Sequence, residues 1–143
     1  KRFKLKKIIW AITKKNPLKA VSKTPVSKRI KDCKKLIGSN TFIKVKFYED
    51  TINSNKTIDL INYLKKNKKL EIFFLMGADN LISFHKWHKS KLITEKCNII
   101  VFDRHGYKKN SLKSKTFKKL NNKTLTFVKF KKVNISSSQL RKI

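Results

Sequence analysis

The chain has 143 residues, with 38 Lys and Arg against 8 Asp and Glu, a formal net charge of +30. That length suits one domain with a single core. A hydrophobic content of 39% with ten Phe is too apolar for a disordered basic tail. No apolar run approaches the roughly 20 residues of a membrane span, and no charged-then-apolar leader opens the chain. A cytoplasmic protein is the expectation. Cys33 and Cys97 stand 64 positions apart without the spacing of a zinc site or redox pair, and are expected as reduced thiols.

So large a positive charge points first to nucleic acid, because Lys and Arg neutralise phosphates. Only four of the 38 basic residues are arginine, however: Arg2, Arg29, Arg104 and Arg141. Bidentate phosphate and base contacts favour arginine. Lys, Asn and Ile number 34, 12 and 16, against three Gly and three Ala. Such usage is expected of an AT-rich genome, with lysine filling solvated faces; non-specific polyanion association would follow from the field itself.

In chain order, Lys7–Thr13 has the continuous apolar run of a strand buried on both faces. Asn16-Pro17 breaks it, and a loop continues to about Ser27. Arg29–Ile37 reads as a helix presenting Ile30, Cys33 and Ile37, stopped by Gly38. Thr41–Tyr48 alternates Ile43, Val45 and Phe47 against Lys44 and Lys46, a strand with one wetter face near a sheet edge. Thr57–Lys66 is a helix with Ile58, Leu60, Ile61 and Leu64 on its apolar side. Leu70–Met76 is a buried strand ending at Gly77, and Asp79 with Asn80 is placed to cap a helix carrying Leu81, Ile82 and Phe84. Asn98–Phe102 and Thr124–Phe130 are further strands, and Ser136–Lys142 opens a final helix. Strands separated by helix-length segments predict an α/β fold with a mostly parallel sheet flanked by helices.

Ligands of such sheets bind beyond the carboxyl ends of the strands, and three junctions there carry unusual residues. At Met76–Asn80, Gly77 and Ala78 leave room for close approach to the backbone, and Asp79 suits ribose hydroxyls; a plain helix cap uses the same residues. In Phe84–His88, Trp87 between histidines and Lys86 suits stacking on a planar ring, or simply fills the core. His85 and His88 lack a third ligand at a convincing spacing, so no metal site is assigned. Ser136, Ser137 and Ser138, with Arg141 one turn on, suit a polyphosphate at a helix start. No nucleophile elbow or Walker loop occurs.

Taken together and in order, these segments resemble the bacterial nicotinate-nucleotide adenylyltransferases, a branch of the Rossmann-like nucleotidyltransferase superfamily. The resemblance rests on MGADNL at Met76–Leu81, KWH at Lys86–His88, IVFDRHGY at Ile100–Tyr107 and ISSSQLR at Ile135–Arg141. Asn16-Pro17, Glu49, and Thr57 with Asp59 also match. It implies transfer of the AMP part of ATP to nicotinate mononucleotide, giving nicotinate adenine dinucleotide and pyrophosphate, with Mg²⁺ carried on the substrate phosphates. It also implies roles. Trp87 and Thr57 bind the mononucleotide. Gly77, Asp79, Ser136, Ser137, Ser138 and Arg141 bind ATP. Lys56 stands where the family usually has Tyr, and a Pro-Pro-His after Pro17 is absent. The family's opening His-x-Gly-His has no counterpart, since His85, His88 and His105 lie in other motifs, so no catalytic residue is assigned. The expectation is a single nucleotidyltransferase-like domain over residues 1–143, incomplete at both ends, without its first strand, and inactive by itself. The alternatives are another adenylyltransferase, such as the pantetheine-phosphate enzymes that share ISSSQLR, or a basic nucleic-acid-binding module.

Overall fold

The computed structural model describes residues 3–14, 24–120 and 123–129. The order is β1 (Ile8–Ile12), α1 (Val26–Ile37), β2 (Ile43–Phe47), α2 (Glu49–Ile52), α3 (Thr57–Lys65), β3 (Phe73–Gly77), α4 (Ala78–Ser83), a 3-10 turn (Phe84–Lys86), α5 (Ser90–Lys96), β4 (Asn98–Phe102), α6 (Lys108–Lys113), α7 (Lys115–Leu120) and β5 (Leu125–Val128). Among the described residues every strand pairing is parallel, as expected, but the pairings fall into two sheets, β1–β2 and β3–β4–β5. The chain divides correspondingly into two compact units, Lys1–Tyr63 and Leu64–Ile143.

In the first unit, β1 and β2 run in register from Ile8↔Ile43 to Ile12↔Phe47. The alternation expected in β2 holds: Val45 is buried and Lys44 and Lys46 are exposed. Helix α1 lays Val26, Ile30, Cys33 and Ile37 toward β1 and β2, spaced to share one helical face. It starts earlier than predicted. Pro25 is extended at the cap (φ −54°, ψ 146°), so the helix begins at Val26 rather than after Ser27. Gly38 ends it with φ +51°, a left-handed value that glycine adopts without a Cβ penalty.

The second unit holds the denser core. Ile99, Ile100 and Val101 of β4 are consecutive and buried, because β4 lies between β3 and β5 with helices over the sheet. Ala78, Leu81, Phe84, Ile93 and Leu125 complete the packing. The ladder of β3 begins later than Leu70. Its partner β4 begins only at Asn98, so pairing starts at Phe73↔Asn98, where Asn98 N–H meets the Ile72 carbonyl; ahead of it the Leu70 carbonyl accepts from Lys65 Nζ at 3.2 Å and Glu71 Oε1 from Asn98 Nδ2 at 3.0 Å. The short helices α2 and α5–α7 lie in stretches for which the sequence suggested no element. The expected final helix, Ser136–Lys142, falls outside the described residues. Among the described residues no helix is long and apolar enough to cross a membrane.

Candidate functional site

Parallel register determines which side chains meet beyond the strand ends. Gly77 of β3 pairs with Phe102 of β4. Two residues on from each stand Asp79 and Arg104, and Arg104 Nη1 donates to Asp79 Oδ2 at 2.5 Å. The Asp79 side chain is 16% exposed and that of Arg104 39%. Asp79 Oδ1 is fully buried and accepts no hydrogen bond from the described residues. It lies 2.5 Å from where a Cβ on Gly77 would sit, so any residue but glycine there displaces the carboxylate. Contrary to the capping expectation for Asp79 and Asn80, Gly77 itself is the cap of α4 (φ −80°, ψ 157°), with no side-chain cap bond. Asp79 is the second helical residue, and its carboxylate turns to Arg104 instead of the helix backbone. The Arg104 guanidinium also lies 5.7 Å from the Tyr107 ring centroid, a cation–π distance.

The first unit repeats this geometry. Ile12 pairs with Phe47, and two residues on from each stand Lys14 and Glu49. The backbone N–H of Lys14 donates to Glu49 Oε2 at 3.1 Å, and its ammonium pairs with Asp50. Asp50 holds the Lys14 pKa above its ordinary value. Glu49 is buried, and its Oε1 has no hydrogen-bond partner among the described residues. Arg29 Nη1 reaches back to the Thr13 carbonyl at 2.8 Å. Thr57 is half-buried as the first residue of α3. The approach to it is built by Ser54 Oγ, which donates to Asp59 Oδ2 at 2.6 Å and accepts from Lys56 N–H at 3.1 Å.

Trp87 is half-buried and leaves the 3-10 turn in an extended conformation. Its ring lies edge-on to Phe74 at 5.9 Å and tilted to Phe84 at 5.4 Å, while Nε1 is buried without a hydrogen-bond partner among the described residues. The departure from helix at Trp87 also separates His85 from His88; both are exposed and share no helical face. Among the described residues no group of three or more His, Cys, Asp or Glu side chains gathers to hold a metal ion. Cys33 is half-buried and Cys97 buried, and they form no disulfide with each other. Burial pushes the Cys97 thiol up to about 11, and its Sγ donates to the Ile93 carbonyl.

Gly77, Asp79 and Trp87 thus belong to one unit, and Thr57 to the other. Ser136, Ser137, Ser138 and Arg141 lie outside the described residues. Sequence reasoning gave Arg104 no role and left Glu49 as a motif match. The register was the signal that finds both, since each stands two residues beyond a paired strand end.

A model of the Cytidylyltransferase-like family matches residues 1–143. The chain is 66% identical over 143 residues to a protein of Pelagibacter ubique (strain HTCC1062) described as a probable nicotinate-nucleotide adenylyltransferase, covering all of this chain and 79% of that one. A protein of the same description from Agrobacterium fabrum (strain C58) is 37% identical over 108 residues, covering 74% of this chain and 57% of its own length. Among solved structures, Plasmodium falciparum nicotinic acid mononucleotide adenylyltransferase complexed with NaAD matches with a TM-score of 0.69 at 20% identity. That match covers 96% of this chain and 69% of the other, and at such identity it speaks for the fold.

Proposed function

The chain belongs to the Cytidylyltransferase-like family and, within it, to the nicotinate-nucleotide adenylyltransferases, and from that premise we propose that it serves adenylyl transfer from ATP to nicotinate mononucleotide in NAD biosynthesis. The observation that carries this reading is the 66% identity sustained over all 143 residues. In the reaction a phosphate oxygen of the mononucleotide attacks the α-phosphorus of ATP in line. The bond from that phosphorus to the bridging oxygen breaks, and pyrophosphate leaves. No covalent enzyme intermediate is needed, so the protein contributes positioning and stabilisation of charge on the transferring group. Mg²⁺ carried on the triphosphate would supply charge neutralisation.

Each residue has a part in this reading. Trp87, at the margin of the Phe74 and Phe84 cluster, offers a flat apolar surface to the pyridine ring. Thr57, the first residue of α3, holds the pyridine carboxylate through its hydroxyl. Asp79 accepts from nucleotide hydroxyls, and Gly77 beside it contributes to the same nucleotide contact by leaving the Asp79 carboxylate the space a Cβ would fill. Ser136, Ser137, Ser138 and Arg141 hold the ATP phosphates. Polyanion association belongs to the same reading as a weak, non-specific property: α1 exposes Lys28, Lys31, Lys34 and Lys35 around a shallow groove.

The test is titration of the purified chain with nicotinate adenine dinucleotide and with ATP by calorimetry, alongside product formation from ATP, Mg²⁺ and nicotinate mononucleotide. Saturable binding of the dinucleotide that is lost in Trp87→Ala is expected. Binding only to nucleic acid, weakening steeply with salt and surviving Trp87→Ala, would overturn the reading.

A further inference from the structure

We propose that Arg104 is a positioning residue for Asp79, and that it fixes which carboxylate oxygen meets the nucleotide. This rests on the reading of Asp79 as a nucleotide contact. The carboxylate is confined from two sides. On one, Oδ1 lies over Gly77 in the space a Cβ would fill, and none of it is exposed. On the other, Oδ2 accepts from Arg104 Nη1. The exposed 16% of the Asp79 side chain therefore excludes Oδ1, and a ligand hydroxyl reaches Asp79 through Oδ2, the oxygen that Arg104 holds. A carboxylate oxygen has lone pairs for both partners.

Arg104 is itself well anchored for this task. It stands two residues beyond β4, at the level of Asp79 beyond β3, in a register set by five consecutive backbone pairs. Its guanidinium lies beside the Tyr107 ring, which restricts the orientation of the guanidinium plane. The side chain stays 39% exposed, so it is not simply a core-filling ion pair. Without Arg104, the buried Oδ1 and the vacated Oδ2 would both lack partners among the described residues, and the carboxylate would turn toward water. Lysine keeps the charge but loses the planar fork that fixes direction.

A double-mutant cycle on dinucleotide affinity tests this, using the full chain and nicotinate adenine dinucleotide as the probe. Arg104→Ala and Asp79→Ala are each expected to weaken binding about tenfold. If Arg104 acts through Asp79, the double variant is also weaker by about tenfold and not about a hundredfold. Arg104→Lys should recover only part of the loss. Multiplying losses would overturn the proposal, because Arg104 would then contact ligand independently. So would a fall in melting temperature of the free protein with unchanged affinity, the mark of a purely structural pair. Should Arg104→Ala fail to fold, Arg104→Gln enters the same cycle. Wild-type protein that binds no dinucleotide would overturn the function reading itself, and this proposal with it. Binding by wild type that Arg104 variants leave unchanged would overturn this proposal alone.

Discussion

The two units use one rule to opposite effect. In each, the residues two positions beyond the last strand pair meet as a basic and an acidic residue, Lys14 with Glu49 and Asp79 with Arg104. In the first unit the contact is a backbone N–H closed by a buried glutamate, and the lysine side chain turns outward to Asp50. In the second the contact is between side chains, and it leaves an arginine partly exposed beside an aspartate on a glycine. One arrangement ties down a chain segment, whereas the other presents polar atoms. The cores differ in the same sense. Two strands with one buried residue each, Ile12 and Val45, form the first sheet, while β4 buries three residues in succession. A strand with neighbours on both sides can be covered on both faces, and burial follows.

The largest test of that contrast is stability. Ile100→Ala removes a side chain that is 1% exposed and packed on all sides, and should cost about 3–4 kcal/mol in urea denaturation. Ile12→Ala, at the end of a two-stranded sheet, should cost about 2 kcal/mol, because its surroundings can collapse onto the gap. Equal losses would break the comparison.

Much of this was legible beforehand, for physical reasons that differ by element. The apolar runs of β3 and β4 and the alternation of β2 are local signals, and the strands formed at those places. The division into two sheets was not legible, because pairing partners are set by contacts distant in sequence. Nor was the start of β3, which is set by where its distant partner β4 begins, at Asn98. Gly77 and Asp79 were recognisable from their motif. Arg104 became intelligible only once the register placed it level with Asp79.

The cysteines sharpen the contrast by reactivity. Cys97 belongs to the denser unit, and burial raises its thiol from 9.0 to about 11. Its thiolate fraction near neutral pH falls about a hundredfold, so alkylation of the native protein should slow by at least that factor. Cys33, half-buried on α1, should label first, and both should label in urea. The sign on stability follows from the same shift. Between pH 9.0 and about 11 the unfolded chain loses this proton while the folded chain keeps it, so stability falls as pH rises. Equal native labelling of both thiols at pH 8 would show that the second unit is not the tighter one.

At the strand ends, Gly77→Ala probes presentation directly. The added Cβ would stand 2.5 Å from Asp79 Oδ1, a flexible side-chain end, so the carboxylate moves and the backbone stays. The expected result is dinucleotide binding weaker by about tenfold with little change in melting temperature. Loss of folding instead would mean that Gly77 serves the backbone and not Asp79.

The smallest effect belongs to the first unit, and it separates two adjacent acidic residues. Glu49 is 9% exposed, with one oxygen on the Lys14 backbone N–H. Removing it in Glu49→Ala orphans a backbone donor and should lower the urea midpoint measurably. Asp50 pairs with the Lys14 ammonium, but their side chains are 69% and 57% exposed. Water and salt compete fully for such a pair, and holding two side chains together costs entropy. Asp50→Asn should therefore leave the midpoint unchanged at both low and high salt. A salt-sensitive loss in Asp50→Asn would mean that the Lys14 side chain, and not its backbone, ties β1 to β2.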